Sequence, residues 1–412
     1  MDLDGASCRT LRSSQTNWTV ALPVKASTGV CRNTRVHPER SSASLHIRTY
    51  VPSFTASSIT MSQHKPVLVL LLLCACTAAG KPLLTPIKKG AASTALYTAP
   101  LSGGRPLVLD LNAPAVTTPC SGQTKTVTLS ANTTDGANPI SPVSFGASAT
   151  CASAPAGTAG VAGLARSSAS FPAQVASTQK VANSFALCLP SDGKTGFSGD
   201  GVGAAIFGGG PFFLAPPADR EAITTLLSDP VPLRQPFAGN PGYFVTATNG
   251  IAIDGTRVAT SGALVVGLST TIPYTQLRAD VYRPFIAAFN RAMGQRAKVS
   301  AVSPFELCYD ASKLSPTRLG LAVPWVDLML EGGTNFTVLG ANSMVQVNSG
   351  TACFGFVQAK ASTGAMPAVV VGGFQMENNL VVFDNGKKQL SFTGYIGGRG
   401  FSCSNFNFTR AA

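Results

Sequence analysis

Histidine is almost missing from this sequence. His37, His46 and His64 are the only three in 412 residues, so nothing after position 64 carries an imidazole. That removes Ser-His-Asp and Cys-His nucleophilic machinery, and any histidine-ligated metal, from the rest of the chain. Charge is also scarce: Asp, Glu, Lys and Arg make up 12% of residues. The few carboxylates do not cluster at metal-ligand spacing, and no Cys-x-x-Cys pair occurs, so neither a metal nor a cofactor is expected. The glycines at 208–210 lack the Lys-Ser/Thr that completes a phosphate loop. No run of lysine or arginine longer than a pair concentrates the charge, which argues against a nucleic-acid stripe. The one long apolar run, Val67 to Ala75, is too short to span a bilayer as a helix, so no stable membrane insertion is expected.

That apolar run has a different meaning. It follows Met61-Ser62-Gln63-His64-Lys65-Pro66 and precedes Cys76-Thr77-Ala78-Ala79-Gly80. A basic start, a short apolar stretch and small residues at a cleavage site describe a secretory signal over 61–80. Residues 1–60 are rich in Ser, Thr and Arg and poor in acids, with no sustained apolar period. They read either as an extension upstream of a true start at Met61 or as a transit peptide. The first 80 residues hold 8 basic and 3 acidic side chains, so 81–412 keeps 23 and 15, a net +8. A diffuse positive field favours acidic partners or wall polysaccharide.

Residues 81–412 are too many for one ordinary core, and two lobes meeting near residue 240 are expected, 81–240 and 241–412. Gly, Pro and short apolar runs predict an all-β class, mainly strand with short helices. A hairpin is expected over Tyr97–Val108, turning at Gly103-Gly104. Further strands are predicted at Thr126–Leu129, Gly160–Leu164, Ser184–Leu189, Ala204–Phe207, Phe336–Leu339, Met344–Val347, Ala352–Val357, Ala368–Val371 and Leu380–Phe383. Helices are predicted at Pro172–Ala182 and Asp280–Met293, the second capped by Asp280, with Val281, Phe285, Ile286 and Phe289 on one face. Pro211–Pro241 reads as a linker. Two pairs of strings suggest an internal duplication: Leu107–Pro114 with Leu264–Pro273, and Ala205–Gly209 with Val369–Gly373.

Four of the ten cysteines lie before residue 80. The remaining six, Cys120, Cys151, Cys188, Cys308, Cys353 and Cys403, are even in number and widely spaced, which predicts disulfides with 15 possible pairings. Sequons at Asn132, Asn335 and Asn407 agree with the secretory route.

A set of strings in order resembles one family: VLDLNAP (108–114), ANTTDG (131–136), GVAGLA (160–165), FPAQVASTQKVAN (171–183), FALCLP (185–190), AIFGGGP (205–211), DVYRPF (280–285), FELCYD (305–310), NSMVQVNSGTACFGFV (342–357) and AVVVGGFQMENNLVVFD (368–384). They resemble the TAXI-type xylanase inhibitors of cereals and the related basic 7S globulins. The resemblance covers nearly all of 81–403 and implies a bilobal, pepsin-like aspartic-peptidase fold. It also implies the pairings Cys308–Cys353, Cys188–Cys403 and Cys120–Cys151. Against that family the stretch from Pro114 to Ala131 is short by several tens of residues. The missing stretch is the one that holds the flap hairpin and most lobe-one cysteines, so the first lobe is expected to be shortened.

An aspartic peptidase needs two carboxylates sharing one proton. Here Asp110 is followed by Leu111-Asn112-Ala113 rather than Thr-Gly-Ser, and Ser269 stands at the second acid position. The expectation is a non-enzyme in which Asp110 is a structural remnant. The family blocks family 11 glycoside hydrolases with a histidine near the C-terminus and a leucine in a second-lobe loop. Those positions fall on Arg399 and on Arg318, with Leu319 adjacent. Arg399 reads either as a cation for a cleft carboxylate or as an ordinary surface arginine in a glycine-rich tail. The resemblance thus implies a secreted, monomeric inhibitor of microbial xylanase or another glycoside hydrolase, acting in the apoplast in plant defence. The alternatives are a storage-like binding protein of the same fold or a residual aspartic endopeptidase.

Overall fold

The computed structural model describes residues 80–90, 96–191, 201–214, 221–360 and 365–408. The leader at 1–60 and the signal through residue 79 lie outside the described residues. The chain forms a strand-dominated body with few helices. The first strands are β1 (Leu83–Lys89), β2 (Tyr97–Ser102), β3 (Arg105–Asp110), β4 (Val116–Thr118), β5 (Thr124–Thr134), β6 (Pro139–Cys151) and β7 (Val161–Gly163). After the helix α1 (Phe171–Gln179) come β8 (Ser184–Cys188) and β9 (Val202–Phe207).

The turn between β2 and β3 shows why this sequence folds locally as it does. Gly103 and Gly104 take φ of 57° and 83°, the paired positive values of a two-residue hairpin turn, which side chains resist. In β5 and β6 the alternation is visible in the burial. Leu129 and Ala131 face Phe145 and Val143, and with Ala147 and Ala149 they turn inward while their neighbours face out. Strands β1, β2, β3, β7, β4, β6 and β5 follow one another, and β5 returns to β1 through Leu83↔Thr133 and Leu84↔Asn132. The ring is closed, so this part of the sheet has no free edge.

The second half repeats one device of the first. β3 runs parallel to β7, with Asp110 opposite Gly163, and β4 flanks β7 antiparallel. Leu264–Leu268 runs parallel to Val369–Val371, with Leu268 opposite Val371, and Thr275–Leu277 flanks that strand antiparallel. One step further in the register sets Ser269 opposite Gly372. Both glycines are needed for the same reason. A Cβ on Gly163 would meet the Ala115 carbonyl oxygen at 2.3 Å, and one on Gly372 would meet the Ile272 carbonyl oxygen at 2.9 Å. In each half a crossing loop leaves no room for a side chain. The duplication of 107–114 with 264–273 is therefore structural. The partner of Val369–Gly373, however, is Gly160–Leu164, not Ala205–Gly209. The latter string belongs to β9, paired on both edges by β1 and β8, and resembles its supposed partner only because both are buried apolar strands ending in glycine.

Other expectations shift in detail. α1 ends at Gln179. The long helix α2 (Ala279–Met293) starts one residue earlier than predicted, with Arg278 rather than Asp280 at its N-cap. Asp280 instead holds the Arg278 guanidinium at 2.7 and 2.8 Å. Its buried face is Val281, Tyr282, Phe285, Phe289 and Met293, with Ile286 half-buried, and the Phe289 ring stacks on Phe354 at 3.6 Å. Pro211–Pro241 is not a bare linker: its Phe212, Leu214, Ile223, Val231 and Leu233 are buried. The first three join Leu84, Ile206, Ile396 and Phe406 around the Cys188–Cys403 bridge.

The halves are sewn together in one sheet. Phe185 in β8 faces Phe383 in the strand Leu380–Asp384, their rings stacked at 4.7 Å, and Tyr243 packs against both. Among the described residues three disulfides are present: Cys120–Cys151, Cys188–Cys403 and Cys308–Cys353. These are the pairs implied by the resemblance. Cys308 and Cys353 also sit directly opposite one another in neighbouring strands.

Candidate functional site

Two places carry the residues singled out in the sequence. The first is the junction where the repeated motifs meet. The loops beginning at Asp110 and Ser269 touch through Thr270, which is fully buried. Its Oγ1 donates to the Leu109 carbonyl at 2.6 Å and accepts from the Leu111 N–H at 3.2 Å. The equivalent residue in the first half is Leu111, which has no oxygen with which to reciprocate. The grip is one-sided. Asn112 adds a weaker tie, its Nδ2 lying 3.4 Å from the Leu268 carbonyl, and the Asn112 N–H donates to Asp110 Oδ1 at 2.8 Å.

Asp110 is half-buried and Ser269 is 1% exposed. The Ser269 hydroxyl is shared locally: it lies 3.2 Å from Thr271 Oγ1 and accepts from the Thr271 N–H at 3.3 Å. One acid and one alcohol thus occupy the twofold-related positions. An alcohol does not ionise near neutral pH, so this pair cannot hold a shared proton between two carboxylates.

A buried acid that sequence reading missed lies close by. Glu377 follows the second motif and is 3% exposed in its side chain, where it receives the Tyr97 hydroxyl at 2.7 Å and the Lys89 ammonium at 2.6 Å. Tyr97 in turn packs where any side chain on Gly373 would have to be: a Cβ there would fall 2.4 Å from its ring. Lysine neutralises the carboxylate, as a buried charge requires. These three residues span most of the chain, and no local motif connects them.

The second place is a surface patch. Arg318 and Leu319 lie between the short strands Pro316–Thr317 and Gly320–Leu321. The turn is held by Thr317 Oγ1, which donates to the Gly320 carbonyl at 2.7 Å and accepts from the Leu319 N–H at 3.0 Å. Gly320, at φ 90°, is pressed so closely on Ala341 that a Cβ would fall 2.0 Å from its nitrogen. Arg399 ends a short 3-10 turn, Ile396–Arg399, in the C-terminal tail. Asn378 anchors that tail, its carbonyl accepting from the Ile396 N–H and its Oδ1 from the Cys403 N–H, both at 2.9 Å.

The two loops meet. A Cβ on Gly398 would come within 2.7 Å of Leu319 Cδ2, so the leucine side chain lies against the backbone next to Arg399. Leu319 nonetheless stays 42% exposed, and both arginines are exposed. Of the sequons, Asn335 is exposed and Asn132 is half-buried within β5. The Asn407 side-chain amide donates to Asn138 Oδ1. Among the described residues no group of His, Cys, Asp and Glu could hold a metal, and no helix is long and apolar enough to cross a membrane.

Comparison with known proteins gives the family and the fold. The xylanase inhibitor N-terminal model matches residues 107–209 and the xylanase inhibitor C-terminal model matches 242–394. Chitinase CLP of Oryza sativa subsp. japonica is 46% identical, over 81% of this chain and 93% of its own. A Nicotiana benthamiana protein named "probable aspartic proteinase GIP2" is 33% identical, over 60% of this chain and 58% of its own. The crystal structure of EDGP superposes with a TM-score of 0.70 at 25% identity, covering 80% of this chain and 99% of that one. The basic 7S globulin of soybean superposes at 0.66 and 23%, covering 79% and 98%. The fold is therefore the mainly β, pepsin-like one, and the chain belongs to the TAXI-type xylanase-inhibitor and basic 7S globulin-like family.

Proposed function

We propose that this protein is a secreted, non-catalytic inhibitor of microbial cell-wall hydrolases, with family 11 endo-xylanases as the first target. One observation carries the reading: Leu319 lies on the backbone beside Arg399, so two separate loops make one exposed patch with an apolar centre and flanking arginines. Glycosidases of this kind hold a pair of carboxylates in an open cleft. A guanidinium offers such a pair a planar fork of donors and a permanent charge, and an apolar contact beside it supplies burial. The pairing of Asp110 with Ser269 speaks against peptidase action, because nothing at the junction splits a proton between two acids. Disulfides and the sequence before residue 81 support an extracellular setting, the apoplast or cell wall.

The test is steady-state inhibition of a family 11 xylanase by purified protein. Saturable inhibition is expected, weakened at least tenfold by Arg399→Ala and by Leu319→Ala, with circular dichroism unchanged. Inhibition that is absent across a panel of such xylanases, or that survives both substitutions, would overturn the proposal. A second reading rests on the rice relative, whose name is that of a chitinase and which matches over 93% of its length. Release of reducing ends from chitin oligosaccharides by the same preparation, abolished by Asp110→Asn, would favour glycan hydrolysis instead.

A further inference from the structure

Arg166 follows the first motif, and its charge has no carboxylate beside it among the described residues. One nitrogen, Nη2, makes all of its side-chain hydrogen bonds, and every acceptor is neutral. These are the carbonyls of Arg234 at 2.7 Å and Gly242 at 3.2 Å, and the Gln235 side-chain oxygen. Nε is buried with no acceptor. The Tyr243 ring lies 6.0 Å from the guanidinium carbon. Burial holds the arginine below its ordinary pKa, the direction expected of a cation short of counter-charge. A half-buried cation satisfied only by dipoles is costly unless something anionic completes it.

Beside it opens a cavity of about 740 Å³, within the range of about 300–1,000 Å³ usual for small-molecule sites. Arg166, Arg234, Lys388, Asn183, Asn385 and Gln235 line it, and no aromatic ring does. The Arg234 charge is already met by Glu331, with Nε 3.1 Å from Oε2. Asp384, in the neighbouring strand, is held by Lys387 at 3.5 Å. Arg166 and Lys388 thus remain as the uncompensated cations. Asn385 is aligned by the Tyr243 hydroxyl at 3.0 Å and by Asn183 at 3.2 Å, which sets amide groups along one wall. None of these residues belongs to the Asp110–Ser269 junction or to the Leu319–Arg399 patch.

We propose that this cavity binds an acidic oligosaccharide, with a uronate carboxylate taken by Arg166 and Lys388 and ring hydroxyls by Asn183, Asn385 and Gln235. A free phosphate or sulfate shares the anionic chemistry, but it would leave the amide wall and most of the volume unused. A nucleotide would find neither a stacking ring nor a phosphate loop here.

Isothermal titration of the full protein decides the matter, with trigalacturonate as probe, xylotriose as neutral control and inorganic phosphate as ion control. Saturable binding of trigalacturonate is expected, falling with added salt. Affinity should drop at least tenfold in Lys388→Glu, which changes an exposed turn residue, and in Arg166→Lys, which keeps a charge but loses the fork. Arg166→Ala is less useful, because Arg166 also ties down the backbone of Arg234 and Gly242. Failure to bind trigalacturonate, equal binding of xylotriose, phosphate binding as tightly, or an unchanged affinity in Lys388→Glu would each overturn the assignment.

Discussion

Thr270 carries more than its size suggests. Its hydroxyl sits between the two motifs, donating a hydrogen bond to the Leu109 carbonyl and accepting one from the Leu111 N–H, both buried. The reciprocal position holds Leu111, so the whole direct bond between the loops at this point passes through one oxygen. Replacing Thr270 with Val keeps the shape and leaves a buried carbonyl and a buried N–H without partners. Each such group costs about 1–3 kcal/mol, so Thr270→Val should destabilise the fold by about 2–4 kcal/mol in chemical denaturation. Leu111→Thr offers the missing half of the grip and tests the same idea from the other side. A Thr270→Val protein as stable as the parent would show that water or a loop shift satisfies the freed groups. Some of this was readable in advance: the contrast of Asp110-Leu111-Asn112 with Ser269-Thr270-Thr271 is written in the chain. The contact of Thr270 with the opposite loop is not, because it depends on how two strands distant in sequence come face to face.

At the scale of elements, the tail bearing Arg399 is positioned by two independent devices. Asn378 receives it by hydrogen bonds, and the Cys188–Cys403 bridge pins its end to β8. Removing a native disulfide typically costs about 2–5 kcal/mol. In Cys188→Ser/Cys403→Ser the loss should appear first in the tail. Faster amide exchange at 396–405 is expected there, with weaker xylanase inhibition although Arg399 itself is intact. Exchange in α2, which packs in the other cluster around Phe354, should change little. Equal exchange in the tail before and after would show that the Asn378 bonds alone hold it. The elements differ in how far the sequence revealed them. The Gly103-Gly104 hairpin and the apolar stripe of α2 are local patterns, and local geometry fixed them. Asp280 falls in the first turn of α2 rather than at its N-cap, and there its carboxylate holds Arg278. Val369–Gly373 found its partner at Gly160–Leu164 because loop crossings, not string likeness, demand Gly163 and Gly372. The Arg166 cavity had no sequence pattern at all, since its lining is gathered from four separated stretches.

For the molecule as a whole, the scarcity of histidine becomes a statement about pH. No imidazole lies within the described residues, and their six cysteines are in disulfides, so few groups can titrate between the carboxylates and the phenols. On the acid side, the Arg278 guanidinium holds the Asp280 carboxyl below its ordinary range, and hydrogen bonds from Ser312 lower that of Asp310. A lowered folded value contributes stability that is present above the unfolded pKa, about 3.9, and is lost as pH falls through the folded one. On the alkaline side the phenols of Tyr243 and Tyr282 are pushed up by burial, and that of Tyr309 to about 12. An unfolded tyrosine gives up its proton near about pH 10, whereas these keep theirs. Their contribution is therefore intact below about pH 10 and lost as pH rises through the folded values. Denaturant unfolding followed from pH 4 to 11 should show a flat plateau between about pH 6 and pH 9, with stability falling above about pH 10. On the proposed reading as an apoplastic inhibitor such a plateau has a use, because the grip on a partner would then vary with the partner's own carboxylates and not with the fold of this protein. A step in unfolding free energy centred near pH 6.5 would require an ionisable group of histidine-like pKa where the described residues hold no histidine, and would overturn this account.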